Sequence, residues 1–160
     1  MQASPQMNHL VRFVEYDLNG RQPKDYLMFA VPPAKGTVLT DPGEEQRRFF
    51  SDPPPGVTPV DQPYAEVVFD TSPLNEVIRT GAPGKTWDVH TGHPSMQRYS
   101  SNPQPVPRLV INPAGLPVNA GAYPVNSLFL SETTDENGHV SRVYSDKKGR
   151  TILTETLTEG

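Results

Sequence analysis

The residues best equipped for chemistry crowd into GAPGKTWDVHTGHP, residues 81–94, which holds the single tryptophan and two of the four histidines. Asp88, His90 and His93 offer one carboxylate and two imidazoles. Such a three-ligand N/O set suits zinc or another divalent ion and leaves a position open for water, the arrangement a metal-dependent hydrolase uses. The helical zinc-protease pattern instead needs two histidines four apart with a glutamate beside the first. Gly92 and Pro94 deny a helix here. The plainer expectation is a surface loop with solvated histidines, no bound metal and no cofactor.

Trp87, with Tyr99 and Tyr123, presents flat apolar faces with polar tips, the surface that a sugar ring or a partner protein uses. The competing expectation is that a lone tryptophan anchors a core, with the tight APGK-W loop folded over it. Serine, histidine and aspartate are all present, but no Gly-x-Ser-x-Gly elbow occurs. GAPGK is too short for a phosphate loop and opens no apolar helix. The Glu44-Glu45 and Asp135-Glu136 pairs read as a helix start and an exposed turn, because sequence neighbours do not face each other across a cleft.

The elements that position these residues are short. LVRFVEY (10–16) alternates as a strand, and DYLMFAV (25–31) is apolar on both sides and stops at Pro32-Pro33, so the two read as a hairpin joined at Asp17. In DPGEEQRRFF, Asp41 is placed to cap a short helix, with Pro42 at its first position and Glu44 in its first turn. SDPPPG ends it. YAEVVFD (64–70) alternates as a strand; Ser72, Pro73 and the spacing of Leu74, Val77 and Ile78 predict a second helix of about two turns, stopped by Gly81. Beyond a proline-punctuated stretch from Asn102 to Pro124, the runs SLFLSETT, HVSRVYS and TILTETLT alternate again.

One turn chemistry recurs among these runs. Asp17-Leu-Asn-Gly20, Asp135-Glu-Asn-Gly138 and Asp146-Lys-Lys-Gly149 share the spacing Asp-x-x-Gly. A type I turn favours Asp first, where its carboxylate bonds amides further on, and Gly fourth, where a left-handed residue lets two antiparallel strands rejoin in register. The following Arg21 or Arg150 is expected to lie across the preceding aromatic, Tyr16 or Tyr144, on the neighbouring strand. At the middle copy His139 takes that place.

Composition agrees with a loop-rich β protein. The chain has 160 residues, no cysteine, 19 prolines and 12 glycines. Proline at that density disfavours a helical bundle. A formal net charge of −4 with scattered basic residues gives no patch fit for nucleic acid. No apolar run approaches the roughly 20 residues needed to span a bilayer, and MQASPQMNHL has neither a basic flank nor an apolar signal core. The expected organisation is an N-terminal hairpin and short helix over 1–50, a stiff Pro-rich linker over 51–63, and a β-rich segment with a short helix and two hairpin turns over 64–160. The fold class is mainly β, built of antiparallel hairpins with two short helices and long Pro-rich loops.

At the turns the chain resembles a known family. Tyr16-Asp17-x-x-Gly20-Arg21 is similar to the tyrosine-aspartate (YD) repeat of the rearrangement-hotspot (RHS) proteins, and Tyr144-x-Asp146-x-x-Gly149-Arg150 is a one-residue variant. SPLNEVIRTGAPGKTW, then YSSN, then AYPVNSLFLSETTDENGHVSRVYSDKKGRTIL resemble the region preceding the RHS core in very large bacterial surface or secreted proteins. The resemblance runs from about Val11 onward. It implies an extended or spiral sheet of hairpins that in better-understood relatives forms a shell around a C-terminal toxin or other cargo, with no catalysis in this region. It implies a secreted or cell-surface setting, with the rest of a larger RHS/YD chain as partner. Too few YD copies occur to close a shell, so a fragment or truncated relative is expected, its sheet edges covered by something else.

Overall fold

The structure, a computed structural model, describes residues 8–33 and 39–157. Residues 1–7 of the MQASPQMNHL stretch and Thr158 at the end of TILTETLT lie outside the described residues. The chain divides into two compact units, Met1–Pro94 and Ser95–Gly160. The fold is mainly β, with eleven strands and one α-helix among the described residues, and every strand pairing given below is antiparallel.

The first unit carries β1 (His9–Val11), β2 (Lys24–Tyr26), β3 (Phe29–Val31), α1 (Pro42–Ser51), β4 (Tyr64–Phe69) and β5 (Val77–Gly81). β1 pairs with β3, with Leu10 opposite Ala30. β2 pairs with β4 and β4 with β5. The expected N-terminal hairpin holds in part, since LVRFVEY and DYLMFAV pair antiparallel through β1 and β3, but DYLMFAV is two strands serving two different partners and the pairing does not run up to the Asp17 turn. The two-sided apolar character of DYLMFAV has that cause. The return from the Asp17 turn runs through Pro23, which has no amide for a ladder, and its carbonyl instead accepts from Val67 N at 2.8 Å. Residues 12–16 run alongside β2 through side chains: Phe13 stacks on Tyr26 with centroids 3.9 Å apart, Glu15 accepts from the Tyr26 hydroxyl, and Arg12 pairs with Asp25.

Helix α1 starts as the sequence dictates. The Asp41 carboxylate accepts from Glu44 N at 2.9 Å, proline occupies the first turn, and Glu44 reaches Arg47 at 2.8 Å. Phe50 packs with Phe29 and Val31, and Val11, Phe13, Leu27, Phe49 and Val60 close around them. Each such buried side chain stabilises by about 1.5–3 kcal/mol. Gln46, 1% exposed, turns the helix into a bracket: its Nε2 donates to Leu27 O at 2.6 Å and Pro63 O at 3.3 Å. Residues 51–63 lie inside this unit, where Val60 N donates to Phe50 O at 3.1 Å and Pro63 O accepts from Leu27 N at 2.9 Å.

The second expected helix is also corrected. Val77–Gly81 is strand β5, and residues 70–76 form the loop of a hairpin with β4. Asp70 closes it, donating its N–H to Glu76 O at 2.8 Å while its carboxylate accepts from Glu76 N at 3.0 Å. Asn75 takes a left-handed φ of 53°, and Leu74 is 76% exposed rather than on a buried helical face. Val77, Ile78 and Thr80 are β-branched; Val77 and Thr80 stand opposite Phe69 and Val67 of β4 with Ile78 at the bulge between them, which decides a spacing that fits either element over so few residues.

The second unit carries β6 (Ser95–Ser101), β7 (Val106–Ile111), β8 (Pro117–Tyr123), β9 (Phe129–Thr134), β10 (Val140–Ser145) and β11 (Thr151–Leu157). Within it β6, β9, β10 and β11 pair in that order, and β7–β8 is a separate hairpin. Val106, Leu128, Leu130 and Tyr144 form the core, with Tyr123, Ile152 and Leu153 against it. SLFLSETT, HVSRVYS and most of TILTETLT thus become strands as their alternation predicts.

Candidate functional site

The three Asp-x-x-Gly turns are near-identical hydrogen-bonded units. The glycine N–H donates to the aspartate carbonyl at 3.0, 3.0 and 2.9 Å for Gly20, Gly138 and Gly149, whose φ values are 73°, 87° and 76°. Asp17, Asp135 and Asp146 each accept on Oδ1 from the amide two residues on, at 2.9 Å in every case. The same oxygen accepts from the amide of Arg21, His139 or Arg150 four residues on, at 2.9, 2.8 and 3.0 Å. The other oxygen, Oδ2, takes the side chain of that residue: Arg21 Nε at 2.7 Å, His139 Nδ1 at 2.9 Å, Arg150 Nε at 2.7 Å.

These bonds favour the ionised carboxylate, so all three aspartates sit below the usual range. The main cause is the Arg21 amide for Asp17, the His139 side chain for Asp135 and the Arg150 amide for Asp146. The residue after the glycine is therefore a clamp on its own aspartate, which corrects the expected stacking on the preceding tyrosine. Tyr16 is exposed, and the Arg21 guanidinium instead lies 4.4 Å from the Phe69 ring centroid and donates to Asn75 Oδ1. Arg21 thus ties the first turn to the β4–β5 loop.

A fourth copy escaped the sequence reading because it begins with asparagine. In Asn112-Pro-Ala-Gly115-Leu116, Asn112 Oδ1 accepts from Ala114 N at 3.0 Å and Leu116 N at 2.9 Å, Gly115 N donates to Asn112 O at 2.9 Å, and Gly115 has φ 78°. Its readable signal is Asn first, Pro second and Gly fourth, the chemistry of a type I turn. It joins β7 to β8.

The 81–94 loop is a tightly tied unit. Lys85–Trp87 forms a 3-10 turn between Gly84, whose N–H donates to Gln62 O at 2.8 Å, and Asp88. Asp88 Oδ1 accepts from His90 N at 3.0 Å, Thr91 N at 2.7 Å and Thr91 Oγ1 at 2.9 Å, and Oδ2 from Gln62 Nε2 at 3.1 Å. The Thr91 amide leads these in holding the carboxyl down to about 2. Oδ1 thus serves the loop itself and Oδ2 ties it to Gln62. Among the described residues no three His, Asp or Glu side chains stand together as a metal-binding group. Gly81 and Gly92 allow the close fold, since a Cβ at Gly81 would stand 2.3 Å from Trp87 O and one at Gly92 2.4 Å from Thr86 O. Val89, 1% exposed, is the buried plug, while Trp87 remains 37% exposed; the expectation that the tryptophan anchors the core is corrected accordingly. Trp87 lies in the first unit, Tyr99 and Tyr123 in the second. Tyr99 is an exposed residue of β6 with its hydroxyl on Gln97 Oε1, whereas Tyr123 packs against the second core.

Two further features were not legible as sites. In the first unit a polar cleft of about 320 Å³ includes Glu15, Asp41, Asp61, Lys24 and Arg47. Asp41 there caps α1 and Glu15 holds Tyr26. Burial, then the Glu15 carboxylate, pushes that phenol well above its ordinary range. In the second unit another cleft of about 320 Å³ is lined by Arg98, Ser100, Leu130, Glu132, Arg142 and Tyr144. Beside it Asn102, fully buried, fastens the chain: Oδ1 accepts from Ser127 N at 2.9 Å and Leu128 N at 2.8 Å, and Nδ2 donates to Gln104 O at 2.7 Å and Pro124 O at 2.8 Å. The Asn102-Pro103 dipeptide is a loop signal in the sequence, but the bonds to Pro124, Ser127 and Leu128 are long-range.

Residues 1–101 match the model of a domain of unknown function, DUF6443, which covers more than half of the chain and includes the 81–94 loop. The chain belongs to the DUF6443 family. The DUF6443 match ends at Ser101, the last residue of β6 and the neighbour of Asn102. No curated protein and no solved structure matches the chain. No helix among the described residues is long and apolar enough to cross a membrane.

Proposed function

We propose that this chain is a non-catalytic structural β module of an RHS/YD-repeat protein, forming wall or plug of a larger shell that encloses a toxin or other cargo outside the cell. The single observation that carries the reading is the reuse of one turn, with Asp or Asn first, its Oδ1 on two backbone amides, and a left-handed Gly fourth, at Asp17, Asn112, Asp135 and Asp146. A chain that invests the same five-residue device four times is organised to repeat strands. The YD-type spacing at Tyr16–Arg21 and Tyr144–Arg150 supports the link to that family. Further support comes from what the reactive-looking groups do: Asp88, Asp41 and Glu15 each hold local structure. The test is deletion of this segment from the RHS protein that carries it, followed by protease treatment of the secreted particle. Loss of protection of the enclosed cargo is expected; undiminished protection overturns the wall or plug role.

A second reading, a glycan- or protein-binding module, rests on the exposed indole of Trp87. A glycan array with titration followed by Trp87 fluorescence decides it, with saturable quenching in its favour and no response against it.

A further inference from the structure

We infer that the open edge of β11 docks one more β-strand, of the pattern apolar-x-Arg/Lys-x-apolar. β11 ends the strand order, and its seven residues TILTETL pair along one side only among the described residues. Proteins normally blunt such an edge with lysine, proline or a bulge pointing outward, because unpaired backbone groups template a further strand. TILTETL has neither lysine nor proline, is rich in β-branched residues and carries one charge; its one bulge, at Ile152, lies near its start and leaves Leu153–Leu157 in unbroken register.

The register states what the added strand must carry. Arg98 stands opposite Glu132, Glu132 opposite Arg142, and Arg142 opposite Glu155, so one row of alternating sign crosses all four strands. Arg142 Nε donates to Glu132 Oε2 at 2.7 Å, whereas Glu155, at the open end of the row, receives the Tyr144 hydroxyl at 3.3 Å. Opposite charges facing one another across strands stabilise and like charges destabilise. The row therefore continues with a cation. On the same face Leu157 and Leu153 flank Glu155, paired on the closed side with Val140 and Tyr144. β10 reads Val-Ser-Arg-Val-Tyr at these positions, so its own pattern is the complement that β11 presents on its open side. A second copy of β11 is a poor occupant, having no cation to place against Glu155. Strand order, register and charge carry this inference without the RHS reading, so the two stand or fall separately.

The test titrates the whole ¹⁵N-labelled chain with the peptide HVSRVYSD, the sequence of residues 139–146, and with its Arg142→Glu form. Slowed hydrogen exchange at the outward β11 amides is expected with the first peptide, and about threefold weaker binding with the second. In the chain, Glu155→Arg should reverse the preference; because it sets two arginines opposite each other, Glu155→Gln is the second variant and should bind both peptides equally. No protection of β11 by millimolar peptide, or equal binding of both peptides to the unaltered chain, overturns the inference. Self-association through β11 without peptide assigns the edge to a second copy and overturns it too.

Discussion

Gly149 and Gly81 would both suffer from a methyl group, for opposite reasons. At Gly149 nothing lies within 4 Å of an added Cβ, but φ is 76°, so Gly149→Ala loses only the left-handed preference, about 1 kcal/mol. At Gly81 the Cβ would meet Trp87 O at 2.3 Å and Val89 Cγ1 at 2.9 Å, so Gly81→Ala must shift backbone and should cost about 3 kcal/mol. Urea denaturation of the two variants checks the order; equal costs would contradict the tight loop. The carboxylates give a second prediction. Asp17, Asp88, Asp135 and Asp146 all have folded values below their unfolded ones, with Asp88 at about 2. Their ionised forms stabilise the fold above about pH 4, the ordinary range, and that contribution disappears as pH falls through the folded values. The urea midpoint should therefore drop most steeply between about pH 4 and pH 2, and Asp88→Asn should flatten part of the drop. A midpoint independent of pH over that window would show that these bonds are not made in solution.

At the scale of elements, the turns are modular, because each is built from bonds between residues at most four apart. Grafting Asn-Pro-Ala-Gly from residues 112–115 onto positions 146–149 should leave the β10–β11 pairing in place, with a small loss of stability for the missing clamp on Arg150. Asp146→Ala in the unaltered turn should cost at least as much. Thermal melts followed by circular dichroism check both, and collapse of the graft would show that the four turns are not equivalent. Locality also explains what the sequence made legible. The Asp-x-x-Gly tips, the Asp41 cap and the last three strands follow from neighbours along the chain. The β5 strand does not, since Leu74, Val77 and Ile78 suit a helix until β4 offers a ladder. DYLMFAV looks like one strand until β1 and β4 claim different halves of it. Arg21 leaves Tyr16 because its own carboxylate and Phe69 are nearer, and Phe69 arrives from 48 positions further on, as the difference between 69 and 21 gives. Of the candidate chemistry, the sequence placed Asp88, His90 and His93 in one loop correctly, but not that the carboxylate is consumed by the amides and hydroxyl beside it.

For the whole molecule, the two units share a way of building. Small cores, Phe29, Val31 and Phe50 in one and Val106, Leu128, Leu130 and Tyr144 in the other, are supplemented by polar brackets at Gln46 and Asn102. Buried amides of this kind fix a unique arrangement when every group is satisfied, and no buried side-chain nitrogen or oxygen among the described residues lacks a partner. The most direct measurement of the proposed wall or plug role is cryo-electron microscopy of this chain in the particle it is naturally produced with. The expected map shows residues 8–157 seated in the shell, with strand density hydrogen-bonded along the outer edge of β11. A segment that hangs outside the shell as a separate bead, with that edge open, would contradict the structural role.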